Sequence, residues 1–179
     1  MADPDASILI VPYNSAWRGQ FEMERDMLAD LLASWLVGPI EHVGSTAVRG
    51  MPAKPIIDIM APVKDLDTSR AAIPRLEKVE YCYAPYRADV EHWFCKPKPS
   101  ARTHHLHLVP YGSRVWSETL MFRDCLRREP ATAQKYIDLK LSLARAHRTD
   151  REAYTEGKTA FVLSIVRRSA AKTDPEYAP

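Results

Sequence analysis

Long apolar runs, paired cysteines and a surplus of one charge sign are all missing from this sequence. No apolar stretch approaches the roughly 20 residues that a membrane-crossing helix needs, so a spanning protein of that kind is not expected. The three cysteines, Cys82, Cys95 and Cys125, form no CxxC pair and are odd in number. They do not make a disulfide framework and read as reduced, partly buried thiols. A formal net charge of +2 is too small to argue for nucleic acid as the main partner. Short basic runs such as Arg127-Arg128 and Arg167-Arg168 read as solvated helix faces. The first residues carry Asp3 and Asp5 where a secretory signal would carry Lys or Arg, which points to a cytoplasmic protein. The phosphate loop GxxxxGK[ST], the dinucleotide fingerprint GxGxxG, the metalloprotease helix HExxH and the nucleophile elbow GxSxG are absent too.

What is present is an ordinary globular composition, 46% hydrophobic and 27% charged, in a chain long enough for one domain with a real core. After an extended start (Ile8–Val11) and a turn at Pro12–Ser15, apolar residues from Trp17 to Leu36 recur at mostly helical spacing. Ser15, or failing it Asn14, is placed to cap that helix, and Gly38-Pro39 stops it. Ile40–Val43 and Ile56–Met60 read as the first two central strands, joined through a connection at Val48–Pro52. Asp65–Lys78 is helix-like, capped by Asp67 or Thr68 and interrupted at Pro74. Val79–Tyr86 and Glu91–Cys95 pair as strands, Lys96–Ser100 is a loop by composition, and Leu106–Val109 returns as a strand. Three helices follow, Val115–Arg127, Ala131–Arg145 and Arg151–Arg168, with Pro130 at one start and Thr149 or Asp150 capping the last. The expected fold is α+β: a small central mixed sheet over about residues 10–112, helices over about 113–168 packed on it, and a frayed tail over 169–179.

The segment Ile40–Val63 carries the chemistry. A short apolar run ends in Gly44-Ser45-Thr46, and the next apolar run carries one acid, Asp58. Gly44 lets the backbone turn, the following N–H groups can form an anion-binding concavity, and the hydroxyls of Ser45 and Thr46 add donors. Asp58 would face that concavity and offer oxygen to a hard cation. A buried aspartate needs a partner in any case, whether a metal, a cation or the donors of the turn. Lys54, at the strand entrance, is placed for a salt bridge or a phosphate contact.

A second cluster is His104-His105-Leu106-His107. In a strand His105 and His107 project from one face, and two imidazoles beside a carboxylate suit a transition metal. The plainer alternative has one imidazole packed on the sheet and the other hydrogen-bonded to Asp58 or Glu41. Of Glu41 and His42 one points inward, and whichever faces Asp58 becomes a further candidate ligand. Arg102, Arg123, Lys140 and Lys158 are cations that could meet a triphosphate, although each taken alone reads as a surface ion pair. Trp93, Phe94, Trp116 and Phe122 read as core.

The runs HVGSTAVRG…AKPIIDI, HHLHLVPYGS and FRDCLRREP…Y…LK, in that order, resemble the GrpB family from roughly Val11 to Val166. That resemblance implies a nucleotidyltransferase-like fold. The superfamily pattern is a Gly-Ser turn and then an acid-apolar-acid triplet on the next strand; here the triplet is Asp58-Ile59-Met60, and the second acid is missing. Three accounts of function stay open. One is transfer of a nucleotidyl group from an NTP to a small acceptor, with Mg²⁺ or Mn²⁺ held by Asp58 and by Glu41, His105 or His107. Phosphates would then lie on Gly44, Ser45, Thr46, Lys54, Arg102 and Arg123. The second is a nucleotide- or phosphate-binding module that has lost the transfer chemistry. The third is a hydrolase or lyase built on Asp58, His105 and His107 around a metal.

Overall fold

The computed structural model describes residues 7–173. Asp3 and Asp5, and residues 174–179 of the expected frayed tail, lie outside them. Its frame is a five-stranded mixed sheet in the order β1-β2-β5-β4-β3: β1 (Glu41–Val43), β2 (Ile57–Val63), β3 (Cys82–Ala84), β4 (His92–Lys98) and β5 (Ala101–Pro110). Only β2 and β5 run parallel; the other neighbours are antiparallel. β1 is therefore an edge strand rather than a central one, which corrects the expectation from sequence.

β2 is apolar on both faces except at Asp58, as a strand covered on two sides must be. Ile57, Ile59, Ala61 and Val63 alternate onto one face with Leu106 and Leu108 of β5 and Phe94 of β4. Against that face packs α1 (Ala16–Leu32), through Trp17, Phe21, Leu28 and Leu32. The opposite face carries Asp58, Met60, His105 and His107. Half of it is sealed by α4 (Arg114–Arg128), where Trp116 meets Val43, Met60 and Val109. The half around Asp58 and His105 stays open, and the site lies there.

Several boundaries differ from the sequence reading, each for a physical reason. α1 stops at Leu32, not Leu36, because Leu36 bridges Val63 and the Val37 N–H donates to the Pro62 carbonyl at 3.1 Å. At its start the Asn14 side chain accepts from the Ala16 N–H at 2.9 Å, while Ser15 makes no side-chain cap bond. The helix expected over Asp65–Lys78 breaks into α2 (Leu66–Ser69), a 3₁₀ turn and α3 (Ile73–Glu77). Pro74, which lacks an N–H, can sit only in a first turn. Asp65 caps α2, accepting from the N–H and hydroxyl of Thr68 at 2.7 Å each, so the cap is neither Asp67 nor Thr68. Lys96–Lys98 continue β4 instead of looping, because Pro97 falls at a register shift where β3 no longer pairs.

The C-terminal part forms α4, α5 (Pro130–Ala146), α6 (Arg151–Glu156) and α7 (Thr159–Thr173). The single helix expected over Arg151–Arg168 is two, divided at Gly157-Lys158. A Cβ at Gly157 would stand 3.1 Å from Leu143 Cδ1, so only glycine lets the chain pass this close to α5. Asp150 caps α6 by accepting from the Ala153 N–H at 2.9 Å. Residues 169–173, expected to fray, are helical. Among the described residues no helix is long and apolar enough to cross a membrane.

Ile57 is buried at the centre of this frame. Ile57→Ala is expected to cost about 2–5 kcal/mol in urea unfolding, through lost transfer free energy and the cavity left behind. A loss below about 1 kcal/mol would contradict the placement of β2.

Candidate functional site

β1 and β2 pair so that Val43 lies opposite Asp58. The next residue, Gly44, takes φ +68°, a left-handed conformation that favours glycine, and swings the chain into a single 3₁₀ turn over Ser45–Ala47. The Asp58 carboxylate lies against it: a Cβ at Gly44 would come within 2.9 Å of Asp58 Cγ and closer still to Oδ2. Glycine is required here twice over. The turn closes through the Ala47 N–H to the Gly44 carbonyl (3.3 Å) and the Val48 N–H to the Ser45 carbonyl (3.2 Å). The N–H groups of Ser45 and Thr46, first in the turn, stand outside that bonding.

Thr46 is spent in the core. Its Oγ1 lies 3.0 Å from His42 Nε2 and donates to the Ile56 carbonyl at 3.4 Å. His42 stacks on Phe21 with ring centroids 4.6 Å apart, and burial pushes its pKa down to about 4. His42 therefore faces α1, and Glu41 shares the face of Asp58. Glu41 does not reach Asp58, however. It sits opposite Met60 and is bound by Arg123, whose Nη1 donates to Glu41 Oε2 at 2.6 Å and to the His42 carbonyl at 3.1 Å. This pair clamps α4 to β1 and lies outside the cleft. Arg123, expected on phosphate, is thus a buried structural cation.

Over the open face lies a cleft of about 700 Å³, walled by the Gly44 turn, the open end of the sheet, and α5 to α7. Lysines converge on it. Lys140 is 2% exposed; its Nζ donates to Ser45 Oγ at 2.9 Å and to the Pro52 carbonyl at 2.6 Å, and lies 5.1 Å from the Tyr136 ring centre. Lys54 and Lys158 both approach the Tyr154 ring, at 4.9 and 4.4 Å. Desolvation lowers the pKa of all three, to about 7 for Lys140 and about 8 for Lys54; the neighbouring Lys158 charge lowers both further. Arg102 also lines the cleft, stacked on Trp93 and donating to the Pro99 carbonyl at 2.9 Å.

On the sheet side, β5 aligns with β2 so that His105 lies beside Asp58. His105 Nδ1 and Asp58 Oδ1 are 2.8 Å apart. Burial raises the Asp58 pKa, but the His105 hydrogen bond outweighs it and the carboxylate stays below its ordinary value. His107 turns to a different acid: its Nδ1 lies 2.6 Å from Oε2 of Glu91, a carboxylate only 3% exposed. The two imidazoles share a face, as their spacing implies, yet each has its own carboxylate.

Sequence reasoning did not single out Glu91, Tyr136 or Tyr154, and read Lys140 as superficial. The β4–β5 hairpin, which puts Trp93 opposite His107, was the available signal for Glu91. For Lys140 it was the four-residue spacing Thr132, Tyr136, Lys140, which marks one buried face of α5.

The donors do not fit the expected Mg²⁺ or Mn²⁺ site. Among the described residues no group of three or more His, Cys, Asp or Glu side chains is placed to hold a metal ion. The position of the second acid is Met60, whose thioether is 1% exposed and packed in the core. A hard cation takes oxygen ligands, and Glu41 is held by Arg123.

The description "GrpB protein" matches residues 7–168. The chain is 40% identical over 174 residues to UPF0157 protein PA4798 of Pseudomonas aeruginosa, covering 94% of this chain and 70% of that one. It is 32% identical over 164 residues to glutamate-rich protein GrpB of Alkalihalophilus pseudofirmus, covering 89% and 94%. A crystal structure of conserved protein GrpB from Enterococcus faecalis superposes with a TM-score of 0.83 at 32% identity, over 92% of this chain and 99% of that one. With its fold, its Gly44–Asp58 turn and its length matched in this way, the chain belongs to the GrpB family.

Proposed function

We propose that this protein binds a phosphorylated small molecule, a nucleotide being the class that fits best, on a nucleotidyltransferase-like fold in the cytoplasm. The observation that carries the reading is the convergence of Lys54, Lys140 and Lys158 on one cleft beside the Gly44-Ser45 turn. Three desolvated cations beside one another raise the free energy of the empty protein, and a polyanion relieves that cost. The unused N–H groups of Ser45 and Thr46 add donors for phosphate oxygens. About 700 Å³ lies within the range of small-molecule sites, and the rings of Trp93, Tyr86, Tyr136 and Tyr154 offer surfaces for a base.

Nucleotidyl transfer through paired metals, which the family resemblance implies, would need a carboxylate where Met60 stands. The donors present do not supply it, so the reading stops at the bound ligand and no transfer step is derived. Asp58 has a different part in it. Its charge draws the lysines toward the cleft floor, and its seat on Gly44 fixes the turn.

A thermal-shift panel of nucleoside triphosphates, with and without Mg²⁺ or Mn²⁺, tests the reading. A ligand at 100 times its dissociation constant adds about 2.7 kcal/mol, a rise of several degrees for a chain of this size. The rise should be lost in Lys140→Met. It should also shrink as pH climbs through about 7 to 8, because Lys140 and Lys54 shed their protons there in the free protein. A shift that grows with pH, or none with any nucleotide, would contradict the proposal. Gly44→Ala should lower the urea midpoint, with about 1–3 kcal/mol lost to backbone strain alone, and abolish the nucleotide shift. Wild-type binding in Gly44→Ala would remove the turn from the site.

A further inference from the structure

The cleft holds two groups that ligand binding alone does not use. His105 and His107 stand on one face of β5, two residues and so about 7 Å apart, and both line the cleft. Each ring has its Nδ1 on a carboxylate, Asp58 for His105 and Glu91 for His107. An Nδ1–H donated to a carboxylate orients the ring and leaves Nε2 for the ligand. The Nε2 of His105 is buried with no hydrogen-bond partner, which is costly unless something else uses it.

We propose that His105 and His107 act as general base and general acid in hydrolysing a phosphodiester bond of the ligand held in this cleft. The inference rests on the phosphorylated-ligand reading above. The Nε2 lone pair of His105 takes a proton from water as the water oxygen bonds to phosphorus. The bond from phosphorus to the leaving oxygen breaks, and His107 Nε2–H gives that oxygen its proton. The products are a phosphomonoester and an alcohol; no oxidant, reductant or further reactant enters. The spacing of the imidazoles suits in-line displacement, in which entering and leaving oxygens lie on opposite sides of phosphorus. The lysines stand where non-bridging oxygens carry charge.

The environments of the two rings divide the roles. Asp58, Lys54 and the cross-strand Cys95 surround His105; Glu91, Asp58 and Arg87 surround His107. Burial lowers the His105 pKa and prevails over the pull of Asp58, so this ring is neutral at neutral pH. Burial opposes the charge on His107 too, but the bond to buried Glu91 prevails and its pKa is raised. A base whose pKa is pushed down beside an acid whose pKa is pushed up keeps both in working form over one pH window.

The test uses the full chain in EDTA with two probes, the 4-nitrophenyl and phenyl phosphodiesters of thymidine 5′-phosphate. His105→Gln should slow both about 10²–10⁴-fold. His107→Gln should slow the phenyl ester by a similar factor and the 4-nitrophenyl ester far less, since nitrophenolate leaves without a proton. A merely structural histidine would not split the two esters. Glu91→Gln should draw the alkaline limb of kcat/KM to lower pH, because its loss lets the His107 pKa fall. If nucleotides raise the melting temperature but neither ester is hydrolysed, the acid–base pair falls and the binding reading stands. If no nucleotide binds and nothing is hydrolysed, both fall. Turnover lost in EDTA and restored by Zn²⁺ would make the imidazoles metal ligands and overturn the proposal.

Discussion

Asp58 is one carboxylate in an otherwise apolar strand, and most of what is distinctive in this fold follows from keeping it charged there. An ion taken from water into such a place costs several kcal/mol unless its lone pairs are engaged. Two neighbours engage it. His105 comes from the one parallel pairing in the sheet, and Gly44 comes from the edge strand, stripped of a side chain so that the backbone can lie beneath the carboxylate. Three strands are thus tied at one point, which fixes the register of the open face.

The second constraint is the ring of cations that the C-terminal helices bring to that carboxylate. Lys140 reaches the Gly44 turn from α5, and Lys158 sits at the break between α6 and α7. The helices are therefore part of the site and not only a cover for the sheet. Their own cohesion rests elsewhere: Phe122, Tyr136 and Phe161 pack edge-on and stacked, and Arg168 of α7 bonds Glu129 and Thr132 at the start of α5. Stability and ligand chemistry meet only at Tyr136, which serves that aromatic cluster and the cleft alike.

How much of this was legible in the sequence varies with range. The Gly44 turn, the acid on the following strand, the shared face of His105 and His107 and the order of most elements came from local pattern. The family followed from three motifs in order, and the relatives bear it out. What local pattern could not carry was the identity of partners far apart in the chain. Arg123 and Glu41 are 82 residues apart and bind each other, which took both out of the expected site. Lys140 and Ser45 are 95 apart, and a lysine on a helix gives no local sign of its depth. Pro97 and the alternation of Thr103 and His104 hid the length of β4 and β5, because a punctuating residue inside a strand reads as a loop until its edge is known.

Mapping backbone amide shifts by ¹H–¹⁵N NMR while ATP is added tests the central claim most directly. The account predicts the largest changes at Gly44, Ser45 and Thr46, with smaller ones at Lys54, Lys140 and Lys158, and little at the Glu41–Arg123 clamp. Changes centred elsewhere, or none at saturating ATP, would contradict it.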